Sequence, residues 1–201
     1  MRETEVTAVS QTSYSKLIGE FVNEAKREVE DAHHWVALRD TVVATTVAGD
    51  FRYYLSNVGI RFKLRNVWDD TNNTFLEIKD SAYLTEKFNT DPTQGKPLYY
   101  DFAGATQGDY QIDLYPIPDA AYSINFNIIK SQADLALDAT ELEVHDYPVM
   151  LGAYAKAISE RGDDNGTQYP VALQAYKEAL GDAIALDAAH NNLEAFNWVV
   201  Q

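Results

Sequence analysis

The residues able to do chemistry are few, and their spacing does not suit it. The chain has four histidines and no cysteine. His33 and His34 are adjacent, so on a helix they point about 100° apart and cannot chelate as an i, i+4 pair does. His145 and His190 stand alone, and a histidine near a helix end usually meets local carbonyls. Without cysteine there is no thiolate nucleophile, disulfide or thiolate metal site. Asp69-Asp70 and Asp163-Asp164 pair carboxylates, but glycoside hydrolysis needs two carboxyls roughly 5 to 9.5 Å apart across a cleft. Adjacent acids are expected by chance in a chain with 31 of them. Asp163-Asp164-Asn165-Gly166 lacks the alternating ligands and distal glutamate of a calcium loop and reads as a turn. Arg161-Gly162-Asp163 at the edge of that turn spells an adhesion tripeptide by coincidence. No G-K-[ST] phosphate loop and no G-x-S-x-G elbow occurs. The expectation is no catalytic residue, no metal and no cofactor.

Residues suited to contact are better defined. In Ile60-Arg61-Phe62-Lys63-Leu64-Arg65, alternation puts Arg61, Lys63 and Arg65 on one strand face and the apolar residues on the other. That basic stripe suits a phosphate or an acidic partner surface, and equally a solvated outer face. Near the C-terminal end, Phe196, Trp198, Val199 and Val200 crowd into a segment whose one charge is Glu194. Such a segment docks on its own core or on a neighbour. The formal charge is −15, which favours solubility and opposes gripping a nucleic-acid backbone. Residues 139–190 hold nine acids against three bases.

The elements that position these residues follow from periodicity. Ser13 or Ser15 caps a helix to about Trp35, with Leu17, Ile18, Phe21, Val22, Ala25, Val29 and Ala32 as its apolar stripe and Glu20, Glu24, Lys26, Arg27, Glu28 and Glu30 mostly outside it. Short β-branched or alternating runs follow at Thr41–Val47, Phe51–Leu55, Ile60–Val67, Thr74–Ile78 and Leu98–Phe102, with a short helix from Asp80 or Ser81 to Phe88. Tyr110 to Lys130 alternates on both sides of Pro116-Ile117-Pro118-Asp119. It reads as an antiparallel hairpin with Ile112, Leu114, Ile124, Phe126 and Ile128 inward. The whole suggests an antiparallel sandwich or open barrel. Two helices end the chain, Glu141 to Glu160 and Thr167 to about His190. Their inward stripes are Tyr147, Met150, Leu151, Tyr154, Ala157 and Ile158, and Tyr169, Leu173, Tyr176, Leu180, Ala183 and Ile184. The expected fold class is α+β: a helical domain (13–36 and 139–190), an inserted antiparallel β-rich domain (37–138) and a C-terminal arm (191–201). No apolar run approaches the ~20 residues of a membrane span, and the start has no signal-peptide core, so the chain is expected to fold in the cytoplasm.

The order helix, β block, helical hairpin resembles the head-to-tail adaptor (connector) proteins of short-tailed bacteriophages. The carriers are Phe21-Val22-Asn23-Glu24-Ala25 with His34-Trp35, then Leu114-Tyr115-Pro116-Ile117-Pro118-Asp119, then His145-Asp146-Tyr147-Pro148 with Leu151-Gly152-Ala153-Tyr154-Ala155, and Tyr169 to Ala189. The resemblance implies a structural virion protein with no catalytic residue. It implies a homo-oligomeric ring of about twelve subunits that joins the portal protein to the downstream tail or nozzle protein. DNA would pass through the ring without sequence-specific binding, and no membrane is involved. The protein would be assembled in the host cytoplasm and reside at the head–tail junction. On this reading Phe196, Trp198, Val199 and Val200 are portal anchors. The alternatives are a tail tube or completion ring, and a tail-associated peptidoglycan hydrolase.

Overall fold

A computed structural model describes residues 8–59, 61–106, 109–136, 139–162 and 167–196, with 191–196 as helical backbone alone. In chain order the elements are α1 (Ser13–Ala32), a 3-10 turn (Val36–Leu38), β1 (Arg39–Thr45), β2 (Arg52–Leu55), β3 (Lys63–Asp69), β4 (Thr74–Ile78), α2 (Ser81–Thr90), β5 (Tyr99–Thr106), β6 (Asp109–Tyr115), β7 (Ser123–Ile129), α3 (Asp146–Arg161) and α4 (Gln168–Phe196). They divide into two compact units, Arg39–Ser131 and Met1–Leu38 with Gln132–Gln201.

The β unit is one seven-stranded sheet in the order β1-β7-β3-β4-β5-β6-β2. Alternation assigns its faces as expected: Ile112, Leu114, Ile124, Phe126 and Ile128 are buried. With Leu55, Val67, Leu76 and Tyr100 they form one core, against which Val42 and Ala44 of β1 also pack. Every strand contributes to that core, and the two edge strands β1 and β2 touch. The sheet is therefore rolled into an open barrel.

Two expectations for this unit are corrected. The sheet is mixed, not antiparallel, because β4 and β5 run parallel through Glu77↔Tyr99 and Ile78↔Tyr100. Parallel neighbours need a long crossover, and α2, capped by the Asp80 side chain, supplies it. Nor do β6 and β7 form a hairpin: β6 pairs with β5 and β2, β7 with β1 and β3. Period two fixes which face a residue shows but not which strand lies beside it. On the outer face Asp113 is buried because Arg52, its cross-strand partner, donates two bonds of 2.8 Å to its two oxygens. That hydrogen bonding raises the Arg52 guanidinium above its ordinary pKa.

In the helical unit the cap of α1 is Thr12, one residue before the expected serine. Thr12 Oγ1 accepts from Ser15 N at 3.0 Å, and Thr12 N donates to Ser15 Oγ at 2.9 Å, a reciprocal box that satisfies two end groups. Helix α3 contacts both α1 and α4. It ends at Gly162, whose φ of 63° is left-handed backbone that glycine adopts without strain. The interior is lined by small residues, with Ala25, Ala153, Ala155, Ala172, Ala179 and Ala183 all buried. Gly152 sits where the three helices meet: a Cβ there would lie 3.0 Å from Ala25 Cβ and 3.2 Å from Tyr176 Cε2. Gly152→Val is expected to cost about 2–3 kcal/mol by overpacking, read as a lower urea midpoint at unchanged slope. A variant as stable as the parent would show that the helices have room to part.

Candidate interaction surface

The surface begins with a stripe that faces the wrong way for a core. Tyr147, Met150, Leu151, Tyr154, Ala157 and Ile158 are expected inward. In the structure α3 instead buries Pro148, Val149, Gly152, Ala153 and Ala155. Tyr147, Met150 and Tyr154 are left 58, 56 and 55 % exposed. The physical reason is the seam described above. Small residues let helix backbones approach closely, so α1 and α4 take the Gly/Ala side of α3 and leave the bulky side outside. Ile18 and Val22 of α1, with Leu142, Tyr147, Met150 and Tyr154, then line a groove of about 470 Å³ in which Asp146 is the one charged residue. Helix α4 repeats the pattern. It buries Ala172, Ala179 and Ala183, while Val171 and Leu186 are 70 and 60 % exposed.

A polar cluster fixes the chain that leads into this face. Lys26 is fully buried. Its Nζ donates to Glu30 Oε1 at 3.2 Å, Gln132 O at 2.6 Å and Ala133 O at 3.1 Å. Asn23 bonds both backbone groups of Leu135, accepting from N at 2.8 Å and donating to O at 3.3 Å. Arg27 forks onto Asp134, which raises the guanidinium above its usual pKa. Segment 132–135 is thus fastened to α1 by polar residues placed outside the apolar stripe on sequence grounds. The i, i+4 spacing of Lys26 and Glu30 marks an ion pair, but nothing in the sequence marks it as a buried one.

The remaining candidates are scattered. Arg61 precedes β3, and its carbonyl accepts from Ser131 Oγ at 3.2 Å. Lys63 opens β3 opposite Ile129. Arg65 is exposed at a bulge, because Leu64 pairs with Ile128 and Asn66 with Asn127. Strict alternation therefore stops at Leu64, and Arg65 does not follow Lys63 on the next rung. Asp69 is spent on its turn: Oδ1 accepts from Thr71 N and Asn72 N at 2.9 and 3.1 Å, and Oδ2 from Asn72 Nδ2 at 2.7 Å. His33 Nε2 lies 3.0 Å from Asp187 Oδ2, and Val36 N donates to the same carboxylate. Among the described residues no three His, Cys, Asp or Glu side chains are grouped to hold a metal ion. Asp163 to Gly166 and Trp198, Val199 and Val200 lie outside the described residues. The last helix, expected to stop near His190, runs on to Phe196.

Against known proteins, the family model for SU10 adaptor proteins matches residues 3–195. The chain belongs to the SU10 adaptor family. This is a family of phage head-to-tail adaptors, as the order of elements and the quoted motifs imply, and membership makes the protein a structural adaptor. No curated protein matches the chain. Membership in an adaptor family implies contact with other phage head and tail proteins. Left uncovered, the exposed α3 stripe is a cost in water.

Proposed function

We propose that this adaptor assembles as a ring at the head–tail junction of a short-tailed phage, joining the portal to the next tail component around a channel for DNA. The observation that carries this reading is the exposure of Tyr147, Met150 and Tyr154 on a helix whose small residues hold the core. Large aromatic and thioether side chains concentrate interface energy, and a family of adaptors supplies the partners. The helical unit builds the ring. The basic residues Arg61, Lys63 and Arg65 meet an acidic partner surface. The C-terminal arm, with Phe196, Trp198, Val199 and Val200, anchors to the portal. Charge supports DNA passage: the helical unit holds 19 acids and 7 bases, a net of −12 out of −15. An acidic lumen repels the phosphate backbone and keeps DNA mobile.

The test is the mass, by light scattering, of the purified protein alone and mixed with purified portal complexes. Rings of stoichiometric mass on portals are expected, and removing Asn191–Gln201 should abolish attachment while the subunit stays folded. A monomer that ignores portals overturns the portal reading. If it then binds isolated tail rings, the protein is a tail completion ring.

A further inference from the structure

We infer that the residues preceding Ala8, residues 1–7, form a strap that lies in the α1–α3 groove of their own subunit and yields it when the subunit joins an assembly. The docking stands on the helical unit alone, and only the release rests on the ring reading above. Three observations carry it.

The first is where the described chain begins. Gln11 N donates to Ala8 O at 3.1 Å, closing a turn, and Ser15 Oγ donates to Val9 O at 2.8 Å. That turn lies on Gly19, where a Cβ would stand 2.7 Å from Val9 Cγ1. Glycine inside a helix is unfavourable relative to alanine, and here it makes room for the leading segment. At the helical turn per residue, Ile18 and Val22 lie between Ala25, which faces Gly152 of α3, and Gly19, which faces Val9. The chain therefore enters beside the groove, on the flank of its α1 wall away from α3.

The second is direction and reach. The Arg161 guanidinium lies 5.6 Å from the Tyr14 ring centroid while Gly152 faces Ala25, so α1 and α3 are antiparallel. Val9 is then at the Ala157 end of the groove, and Asp146 marks the other end. From Ala157 to Asp146 the groove runs about 16 Å at the helical rise. From Ala8 back to Arg2 an extended chain spans about 20 Å.

The third is chemistry. In an extended chain Arg2, Thr4, Val6 and Ala8 share one face and Glu3, Glu5 and Thr7 the other. With the first face inward, Val6 meets the apolar floor of Val22 and Met150, and Arg2 reaches Asp146, the one charged residue lining the groove. Both glutamates then stay in water. The opposite face would press two carboxylates into an apolar groove. A segment tethered at the groove's edge acts at an effective concentration of about millimolar, so it covers the stripe until assembly presents a larger apolar partner.

The absence of cysteine gives a direct test. Met150→Cys, at an exposed position in the groove, supplies the full chain with a single thiol, and its rate of labelling by a maleimide is followed in the free subunit. Removing residues 1–7 should raise that rate at least about fivefold, as expected of a groove closed most of the time. Val171→Cys on α4 should label at one rate in both chains. Arg2→Glu should reproduce most of the rise, and Arg2→Lys none of it. Equal rates with and without the segment overturn the inference and leave the groove open to a partner. Protection that vanishes on dilution also overturns it, because the segment then comes from a second copy. Release is read by Val6→Cys, which should label slowly in the free subunit and at least about fivefold faster in rings on portals. Slow labelling in rings of correct mass overturns the release. Failure to assemble on portals at all is a different result, visible in the mass, and counts against the ring reading itself.

Discussion

Replacing Lys26 with methionine is expected to destabilise the helical unit by about 3–5 kcal/mol, the cost of breaking a buried pair by removing one partner. The substitution keeps the length and most of the volume of the side chain, so packing changes little. It removes every donor of a fully buried ammonium that serves Glu30 Oε1 and the carbonyls of Gln132 and Ala133. Glu30 is then a buried carboxylate with no cation beside it. Its other oxygen, Oε2, already has no hydrogen-bond partner among the described residues. The two carbonyls add a desolvation cost of about 1–3 kcal/mol if nothing replaces the donor. Lys26→Met/Glu30→Leu removes the stranded charge and should recover part of the loss, leaving the carbonyl cost. Urea unfolding followed by helical circular dichroism measures both. A Lys26→Met protein within about 1 kcal/mol of the parent would mean that water reaches the site and the ion pair is not buried in solution.

The second large effect is on assembly rather than folding. Met150→Glu/Tyr154→Glu is expected to weaken portal-dependent assembly by at least about 100-fold, because two apolar anchors are lost and two charges must be desolvated in their place. The same change should alter subunit stability by no more than about 1 kcal/mol. Both side chains are more than half exposed, and glutamate is a better helix former than tyrosine. The informative quantity is the divergence between the two measurements, mass by light scattering on portals and urea midpoint of the free subunit. Normal assembly of a stable double variant would show that the α3 stripe faces solvent in the virion. Loss of both together would show that these residues belong to the fold.

The sequence was readable where one residue's pattern decides one local outcome. Asp80 caps a helix, the cap of α1 falls one residue before the expected serine, Gly162 ends a helix, and the inward residues of β6 and β7 follow from period two. It was silent where the outcome depends on a comparison between partners. Alternation in Tyr110 to Tyr115 and Ser123 to Ile129 is the same whether the strands pair with each other or, as found, with strands on separate sides of the sheet. The bulge at Arg65 is set by β7 across the ladder, not by β3 itself. The helical stripes misled for a more general reason. Hydrophobicity ranks Tyr147, Met150 and Tyr154 above Gly152 and Ala153 as core residues, but close helix packing selects for small size. Once the small side is taken, the bulky side is available for something else. The same confusion hid Lys26, since a charged residue at a flank of the stripe reads as solvated until the 132–135 segment is known to lie over it.

Sheet order has one more implication, for how such a chain can change over time. The first strand of the β unit, β1, and the last, β7, are hydrogen-bonded neighbours, with Arg39 opposite Ile129. The chain therefore leaves the helical unit after Leu38 and returns at Gln132 by way of two neighbouring strands, which lie about 5 Å apart. A segment whose ends lie that close can be lengthened, shortened or exchanged without asking the host to move its own cut ends. The β unit is plugged in like a cassette, and a lineage of adaptors can recast it while keeping the helical unit unchanged.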